Sequence, residues 1–437
     1  MFSYYLRLAW LSLKQTPVIS ALMVLAMAIG IGAAGTSLTV HYTMSHNPMA
    51  HKNDQLYAVQ LKAHHDDYDG GTSDELDLQL TYPDADNINR MSTPQRSTAM
   101  IRAGFSIKPD DPQLHPFMAT GRATGRDFFG MFEVPFLYGA PWSTAVDTLA
   151  EPVTVISRAL NDKLFGGENS VGQTIEASNH LYTVVGVIDD FHPQPLFYDL
   201  NNGAFHEPEE MFVPFSLLPV NKIEAFGNRN GWKSENLQSY DDWLRSEMYW
   251  VQYWVELETP AQKADFEQEL AGYIKQQRQL GRMPSDTAFA SLKNVQQWLD
   301  YNGVVSEDNR ILLALSFLFL LVCMVNMIGL LLAKFLRRAA HTGVRRALGA
   351  SQRQIFAQHL VEVSLIGVLG GGLGSVFALV GLAGLRQLYP YYDQLARMDI
   401  TMLITVLLLS LLAAIIAGLL PAWRVGRTHP AHYLKSQ

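Results

Sequence analysis

A chain of 437 residues that is 48% apolar yet 17% charged, with a mean hydropathy of +0.04, is neither an all-membrane bundle nor an ordinary soluble globule; a large polar part dilutes a few membrane segments. The formal net charge of −8 argues against a nucleic-acid partner, and the single cysteine, Cys323, excludes an intramolecular disulfide. No G-x-x-x-x-G-K-[ST] phosphate loop occurs, which excludes ATP hydrolysis by that route.

In residues 1–16, Phe2, Tyr5, Leu6, Ala9, Trp10 and Leu13 recur at helical spacing with Arg7 and Lys14 off the stripe, the pattern of a short helix lying along a membrane interface. Pro17 marks a bend into residues 17–42, a first transmembrane helix. Its apolar run is too long for a signal-peptide core and no A-x-A site follows, so it reads as an uncleaved anchor. Ala28, Gly32 and Gly35 give it a small face for close packing or dimerisation.

Residues 43–308 form a large extracytoplasmic domain of mixed α and β character. Between Ser45 and Arg310 there are 38 Asp and Glu against 20 Lys and Arg, a net of −18. Gln55 to Leu61, Pro152 to Ile156 and Tyr182 to Ile188 read as strands, rich in β-branched and aromatic residues. Ala261 to Gln279 reads as a helix with Phe266, Leu270 and Ile274 on one side. The stretch from Phe191 to Tyr240, heavy in Asn, Gly, Pro and acidic residues, reads as a subdomain joint or a long surface excursion. Without disulfides the domain depends on a packed core, which a segment of about 265 residues can supply.

Three more spans follow at residues 309–336, 357–387 and 401–422, giving an α+β membrane protein with four transmembrane helices. Asn326, mid-span, is costly unless hydrogen-bonded and is expected to face another helix or a dimer mate. Residues 337–356 form a basic elbow: Arg338 to Leu348 is helical, Gly349 suits the left-handed residue that ends it, and Ser351-Gln352-Arg353-Gln354 matches a capping box opening a helix that runs into the third span. Arg345, Arg346 and Arg353 are read as exposed, pairing either with a partner's carboxylates or with anionic lipid. Glu362 is expected to snorkel or to meet an arginine. Gly367, Gly371 and Gly374 give the third span its own small face. Residues 388–400 are a short outer loop and 423–437 a tail; Trp10 and Trp423 sit where interfacial anchors belong. Basic residues flank one end of every span: Arg7 and Lys14; Lys334, Arg337, Arg338, Arg345, Arg346 and Arg353; Arg424, Arg427 and Lys435. That end and both termini are therefore assigned to the cytoplasm.

Other chemistry is weak. His64-His65-Asp66-Asp67 has metal-ligand types, but adjacent side chains seldom close one coordination shell, so it reads as a solvated loop and no metal is assigned. Ser157-Arg158 and Asp189-Asp190-Phe191-His192 show no nucleophile or acid–base pairing, and no catalytic residue is assigned. Trp142, Trp232, Trp243, Trp250, Trp254 and Trp298 fall in the outer domain and read as core, with 243–254 alternatively lining a surface for a hydrophobic peptide or adaptor.

RRAAHTGVRRALGASQRQIF, starting at Arg337, and the GGGLG starting at Gly370 resemble the signature of FtsX-like and MacB-type (type VII) ABC transporter permeases. ATGRATGRDFFGMFEVPFLYGAPW, PVTVISRALNDKLFGGENSVGQTIEASNHLYTVVGVIDDFH and AGLLPAWRVGRTHPAHYLKSQ are similar to further stretches of that family, whose layout of one span before the outer domain and three after it matches along the chain. His341 stands where a glutamate is common in the family, and Thr342 where an aliphatic residue is usual. The resemblance implies an inner-membrane permease without a fused ATPase domain, and with a MacB-like periplasmic core domain. It implies partners: a cytoplasmic ABC ATPase dimer that uses ATP and Mg, a second permease copy or a homologous permease, membrane lipids, and a periplasmic adaptor and outer-membrane channel. No cofactor or metal is expected on this chain. The implied ATPase contact falls on Thr342, Arg345, Arg346, Leu348, Gly349, Ala350, Ser351 and Arg353; Gly32, Gly35, Asn326, Gly367, Gly371 and Gly374 are assigned to helix packing or a dimer interface. The leading expectation is mechanotransmission that exports a peptide or amphipathic small molecule, the alternative a transmembrane signal transmitter acting on a periplasmic hydrolase or receptor.

Overall fold

The computed structural model describes residues 2–64, 76–227, 229–285, 288–388 and 398–426, in two units: residues 46–304, and a helical unit of residues 1–45 and 305–437.

In the helical unit, the helix expected to be interfacial, Phe2–Gln15, is followed by the first span, Pro17–Ser45. The second span, Glu307–Arg337, is opened by Ser306, whose hydroxyl accepts from Asn309 N at 3.2 Å; Glu307 and Asp308 sit in its first turn and Lys334 and Arg337 in its last, each sign suited to the helix dipole. The elbow helix is Ala339–Ala347, and the third span continues unbroken from the elbow as Gln352–Leu388. At 37 residues it is about 55 Å long, well beyond the hydrocarbon thickness of a bilayer. The fourth helix, Ile400–Gly426, carries Pro421 and runs past the expected end at 422. Arg427, Lys435 and most of the 388–400 loop lie outside the described residues. All four long helices are apolar and long enough to cross a membrane.

The small residues serve packing within the chain. A Cβ on Gly32 would stand 2.7 Å from Phe377 Cβ, on Gly374 2.8 Å from Ile31 Cγ2, on Gly367 2.7 Å from Ala414 Cβ, and on Gly371 2.8 Å from Ser410 Cβ. Gly35 would meet Val406 and Ala378 at 3.2–3.3 Å. The first, third and fourth helices thus approach backbone to backbone, and Ser410 Oγ donates to Gly367 O at 2.8 Å across the seam. Asn326 differs: it is exposed on the second span.

The interfacial helix departs from its expected stripe. Ala9, Ser12 and Leu13 are buried against the bundle, while Leu6 and Trp10 point outward with Tyr4 and Leu11. The reason is Ser12, a polar residue off the hydrophobic stripe, which is drawn inward by Glu362.

Among its described residues the other unit is built on twelve strands: β1 (Leu56–Leu61), β2 (Arg96–Lys108), β3 (Phe117–Thr124), β4 (Phe136–Gly139), β5 (Val153–Ser157), β6 (Thr174–Ala177), β7 (His180–Ile188), β8 (Met211–Pro214), β9 (Asn230–Gly231), β10 (Met248–Tyr249), β11 (Gln252–Glu256) and β12 (Ala290–Asn294). Ten form one sheet in the order β12-β1-β11-β2-β3-β8-β5-β7-β4, with β6 bridging β2 and β7; β9 and β10 pair separately. Pairing is antiparallel except β3 with β8 and β5 with β7. Both faces are covered, so side chains alternate between two cores: Tyr253 and Val255 enter one, Trp254 between them the other. The second core is aromatic, with Phe128 and Phe132 edge-to-face at 5.0 Å and Phe197 and Trp254 at 5.4 Å. Helix Pro260–Gln279, opened by a reciprocal Thr259–Gln262 capping box, buries Phe266, Leu270 and Ile274 in the first core.

Three expectations change. The 191–240 stretch is neither joint nor excursion: it supplies β8, an interior strand, and the short helix Phe197–Asn202. Its polar residues are there to answer Arg122 of β3, fully buried, which donates to Asp199 Oδ2 at 2.5 Å and from Nε to Glu209 Oε1 at 2.9 Å. Tyr198 OH donates to Glu209 Oε2 at 3.0 Å, and Gln252 of β11 to Asp199 Oδ1 at 2.9 Å. The tryptophans at 243–254 divide: Trp250 stacks on Tyr82 and Trp254 is core, while half-buried Trp243 lies under Arg229 and lines, with one edge of Trp250, a small cavity of about 40 Å³. His64 is buried and partnered rather than solvated, while His65, Asp66 and Asp67 lie outside the described residues.

Two outcomes are expected. Gly374→Ala should lower the thermal stability of the solubilised chain by about 1–3 kcal/mol through overpacking, whereas Gly372→Ala, with nothing within 4 Å, should leave it unchanged. For Glu209, burial would raise the carboxyl pKa, but the Arg122 guanidinium outweighs burial and holds it below its usual value. Its stabilisation is therefore complete above the unfolded value of about 4.3 and lost as pH falls through the depressed native one. Glu209→Gln should cost about 3 kcal/mol near neutral pH and make acid unfolding, read by tryptophan fluorescence, less steep than in the parent.

Candidate coupling site

The elbow is built from local rules. The chain leaves the second span at Arg338, takes the helix Ala339–Ala347, and turns at Gly349 with φ +104°. Gly349 N donates to Arg346 O at 3.1 Å and Ala350 N to Arg345 O at 3.0 Å, the paired bonds of a Schellman ending. Gln354 N donates to Ser351 Oγ at 3.2 Å while Gln354 Oε1 accepts from Ser351 N at 2.9 Å, a closed capping box. Both helix ends are satisfied, so the turn is fixed at two adjacent points.

A buried ion pair locks what lies behind the turn. Lys334 Nζ, fully buried near the end of the second span, stands 2.7 Å from Glu362 Oε1 on the third and 3.3 Å from Ser20 Oγ on the first. Ser12 of the interfacial helix donates to the same Glu362 oxygen, Arg338 donates to Ser12 Oγ, and Arg338 Nη2 donates to Gln15 Oε1 at 2.7 Å. His359, one turn before Glu362, lies against Phe335 with ring centroids 4.1 Å apart. Three helices meet on one carboxylate, a fourth joins through Lys334 and Ser20, and Glu362 faces a lysine rather than snorkelling or meeting an arginine.

The coupling residues fall into two groups. Leu348 is 84% exposed at the tip, with Gly349, Ser351 and Arg353 also exposed and Ala350 half-buried. Arg345 and Arg346 are half-buried, not exposed as the sequence suggested: Arg345 folds back to donate to Gln358 Oε1 on the third span, because the elbow helix lies close enough for that neutral acceptor. Thr342 is buried and donates to Arg338 O at 3.3 Å. Of His341 only the helical backbone is described. Sequence reading missed Ser12 and His359, and took Lys334 only as a flanking charge. The available signal was Glu362 itself, an intramembrane charge that needs an opposite one within reach.

The other unit holds a cleft of about 370 Å³ that joins two motifs read separately, Ser157-Arg158 and Asp189 to His192, with Glu207, Glu209 and Glu210. Three of its polar groups are engaged structurally: Ser157 Oγ caps a helix by accepting from Leu160 N at 3.1 Å, and Arg158 pairs with Asp189 at 2.6 Å. No group of three metal-ligating side chains occurs among the described residues.

Comparison with known proteins matches residues 20–273 to the MacB-like periplasmic core domain and residues 313–430 to the FtsX-like permease C-terminal region. The chain is 22% identical over 312 residues to the pyoverdine export ATP-binding/permease protein PvdT of Pseudomonas entomophila, covering 71% of this chain and 42% of that protein. It is 22% identical over 367 residues to the macrolide export ATP-binding/permease protein MacB of Pasteurella multocida, covering 81% and 50%, and 24% identical over 313 residues to the uncharacterized ABC transporter permease YvrN of Bacillus subtilis, covering 71% and 68%. The chain spans about half the length of the first two. The crystal structure of the periplasmic region of MacB from Actinobacillus actinomycetemcomitans aligns with a TM-score of 0.33 at 12% identity, covering 55% of this chain and 88% of that one.

The ion pair is expected to be positional. Lys334→Met or Glu362→Gln alone should destabilise the helical unit by about 3–5 kcal/mol, because each leaves a buried charge unpaired, while Lys334→Met with Glu362→Leu should recover most of the loss. Thermal unfolding of the three variants in one detergent measures this, and additive losses would contradict it.

Proposed function

Because this chain belongs to the MacB-type family of FtsX-like ABC transporter permeases, we propose that it is a membrane subunit that couples ATP hydrolysis by a separate cytoplasmic ATPase to movement of its outer domain, and so exports a peptide or amphipathic small molecule. The observation that carries this reading is the elbow. An exposed apolar knob, Leu348, sits on a turn fixed by a Schellman ending and a capping box, and the helix beyond it runs without a break through the third span. A push at Leu348 is delivered along that helix instead of being absorbed by a loop. ATP and Mg belong to the partner; this chain supplies position and stiffness.

In this reading the elbow end of the bundle and both termini are cytoplasmic, in an inner membrane, with residues 46–304 in the periplasm. A second permease copy, or a homologous one, covers the outer face of the second span, where Phe319, Val322, Val325 and Asn326 are exposed; apposed Asn326 side chains would then meet the hydrogen-bonding need of a polar group in the membrane. A periplasmic adaptor and outer-membrane channel complete the export path. The 370 Å³ cleft, where Ile188, Phe191 and Pro208 stand beside carboxylates, suits an amphipathic cargo.

The test is reconstitution with a cytoplasmic ABC ATPase that co-purifies with the chain. Leu348→Asp and Arg353→Glu should each reduce cargo-stimulated ATPase activity at least tenfold (about 1.4 kcal/mol of coupling) with unchanged thermal stability, and unchanged stimulation would sink the coupling assignment. ATPase activity that follows a bound periplasmic hydrolase instead of cargo would establish the signal-transmitting alternative. In a Cys323→Ser background, an impermeant maleimide added to whole spheroplasts should label Leu181→Cys and spare Arg353→Cys.

A further inference from the structure

Behind the elbow lies a cavity of about 230 Å³ that the coupling reading does not use, walled by Gln15, Arg338, Thr342, Arg345, Gln358 and His359, with Ile355 and Glu362 completing it. Its charges do not balance. Glu362 is answered by buried Lys334, so the two guanidinium groups are left with neutral acceptors: Arg338 with Ser12 and Gln15, Arg345 with Gln358. Among the described residues neither has an anionic partner. A second observation points the same way. His359 is only 5% exposed, yet among the described residues its Nδ1 makes no hydrogen bond and stands 3.8 Å from Glu362 Oε2. A polar hollow lined by two arginines and an unsatisfied imidazole is complementary to a small anion with several acceptor oxygens, the chemistry that a guanidinium fork recognises best.

We infer that this cavity binds the phosphate of an anionic phospholipid headgroup. The lipid source follows from where the cavity lies: Ile355, Gln358, His359 and Glu362 are the foot of a helix long and apolar enough to cross the bilayer, Arg338 caps the end of a second such helix, and the first helix, which contributes Gln15, exposes Tyr4, Leu6, Trp10 and Leu11, an aromatic and aliphatic face of the kind that rests at the headgroup level. The volume equals several waters at about 30 Å³ each, room for a phosphodiester but not for an acyl chain. A bound phosphate joins the elbow helix, through Arg345, to the interfacial helix, through Arg338 and Gln15, so an anionic lipid stiffens the elbow from behind.

The probe is phosphatidylglycerol, titrated into the full chain in phosphatidylcholine nanodiscs, with retained lipid counted by native mass spectrometry and the unfolding temperature followed in parallel. Saturable binding of phosphatidylglycerol is expected, weakened about tenfold by Arg345→Gln, the loss of one charge-assisted fork, and several-fold by His359→Gln, which keeps a neutral polar side chain and guards against a fold defect in the first variant. Arg424→Gln removes an exposed charge at the same end of the bundle but outside the cavity, and should change affinity less than twofold. Equal weakening by Arg345→Gln and Arg424→Gln would reduce the effect to general surface charge and overturn the site. Inorganic phosphate added in lipid-free micelles is expected to leave the unfolding temperature unmoved; an equal shift would make this a free-anion site and overturn the lipid assignment. No ATPase is present in these measurements, so their failure leaves the coupling reading intact.

Discussion

The helical unit depends on one carboxylate. Glu362 is the only acid within its span, removed from water, and the bundle is arranged so that Lys334, Ser12 and, beyond them, Arg338 come to it. Such a pair adds little net stability, since removing two charges from solvent costs about what their attraction returns, but any arrangement that separates them leaves a charge stranded at a cost of several kcal/mol. The pair therefore acts as a latch on geometry. It fixes which side of the interfacial helix faces the bundle and how the second and third spans meet at the elbow.

The same device appears in the sheet domain. Arg122, on an interior strand with no exposure, is held by Asp199 and Glu209 and lies over the Tyr198 ring at 4.9 Å. Those partners come from a stretch whose composition is that of a loop. A buried guanidinium requires acceptors from elements distant in sequence, and meeting that need brings Asp199 and Glu209 against β3 beside β8, the strand between β3 and β5. In both units a buried cation and the carboxylates around it specify the arrangement, while packed apolar side chains supply the bulk of the stability.

Rigidity and exposure are divided along the elbow in a way that suits force transfer. The two residues of the turn that must bend, Gly349 and Ala350, are tied by backbone hydrogen bonds, and the side chain that protrudes, Leu348, is apolar and exposed. The arginines flanking it are not equivalent. Arg353 faces outward, whereas Arg345 is turned inward onto Gln358 and stiffens the join between the elbow helix and the third span. A contact at the tip is thereby separated from the polar hollow behind it.

How much of this was legible in the sequence follows from the range of the interactions. The four spans, the left-handed glycine, the capping box at Ser351 and the helix read at Ala261 to Gln279 are written in hydropathy, periodicity or three-residue motifs, because each is satisfied by neighbours along the chain. The basic flanks and the glycine faces were equally visible, although not which helix each glycine would meet. What the fold alone decided are the pairings across long separations: Ser12 with Glu362, 350 residues apart, Arg122 with Glu209, 87 apart, and the inward turn of Arg345. A charged side chain announces that it needs a partner when buried, but burial and the partner's identity are set only when distant elements pack, and neither is encoded locally.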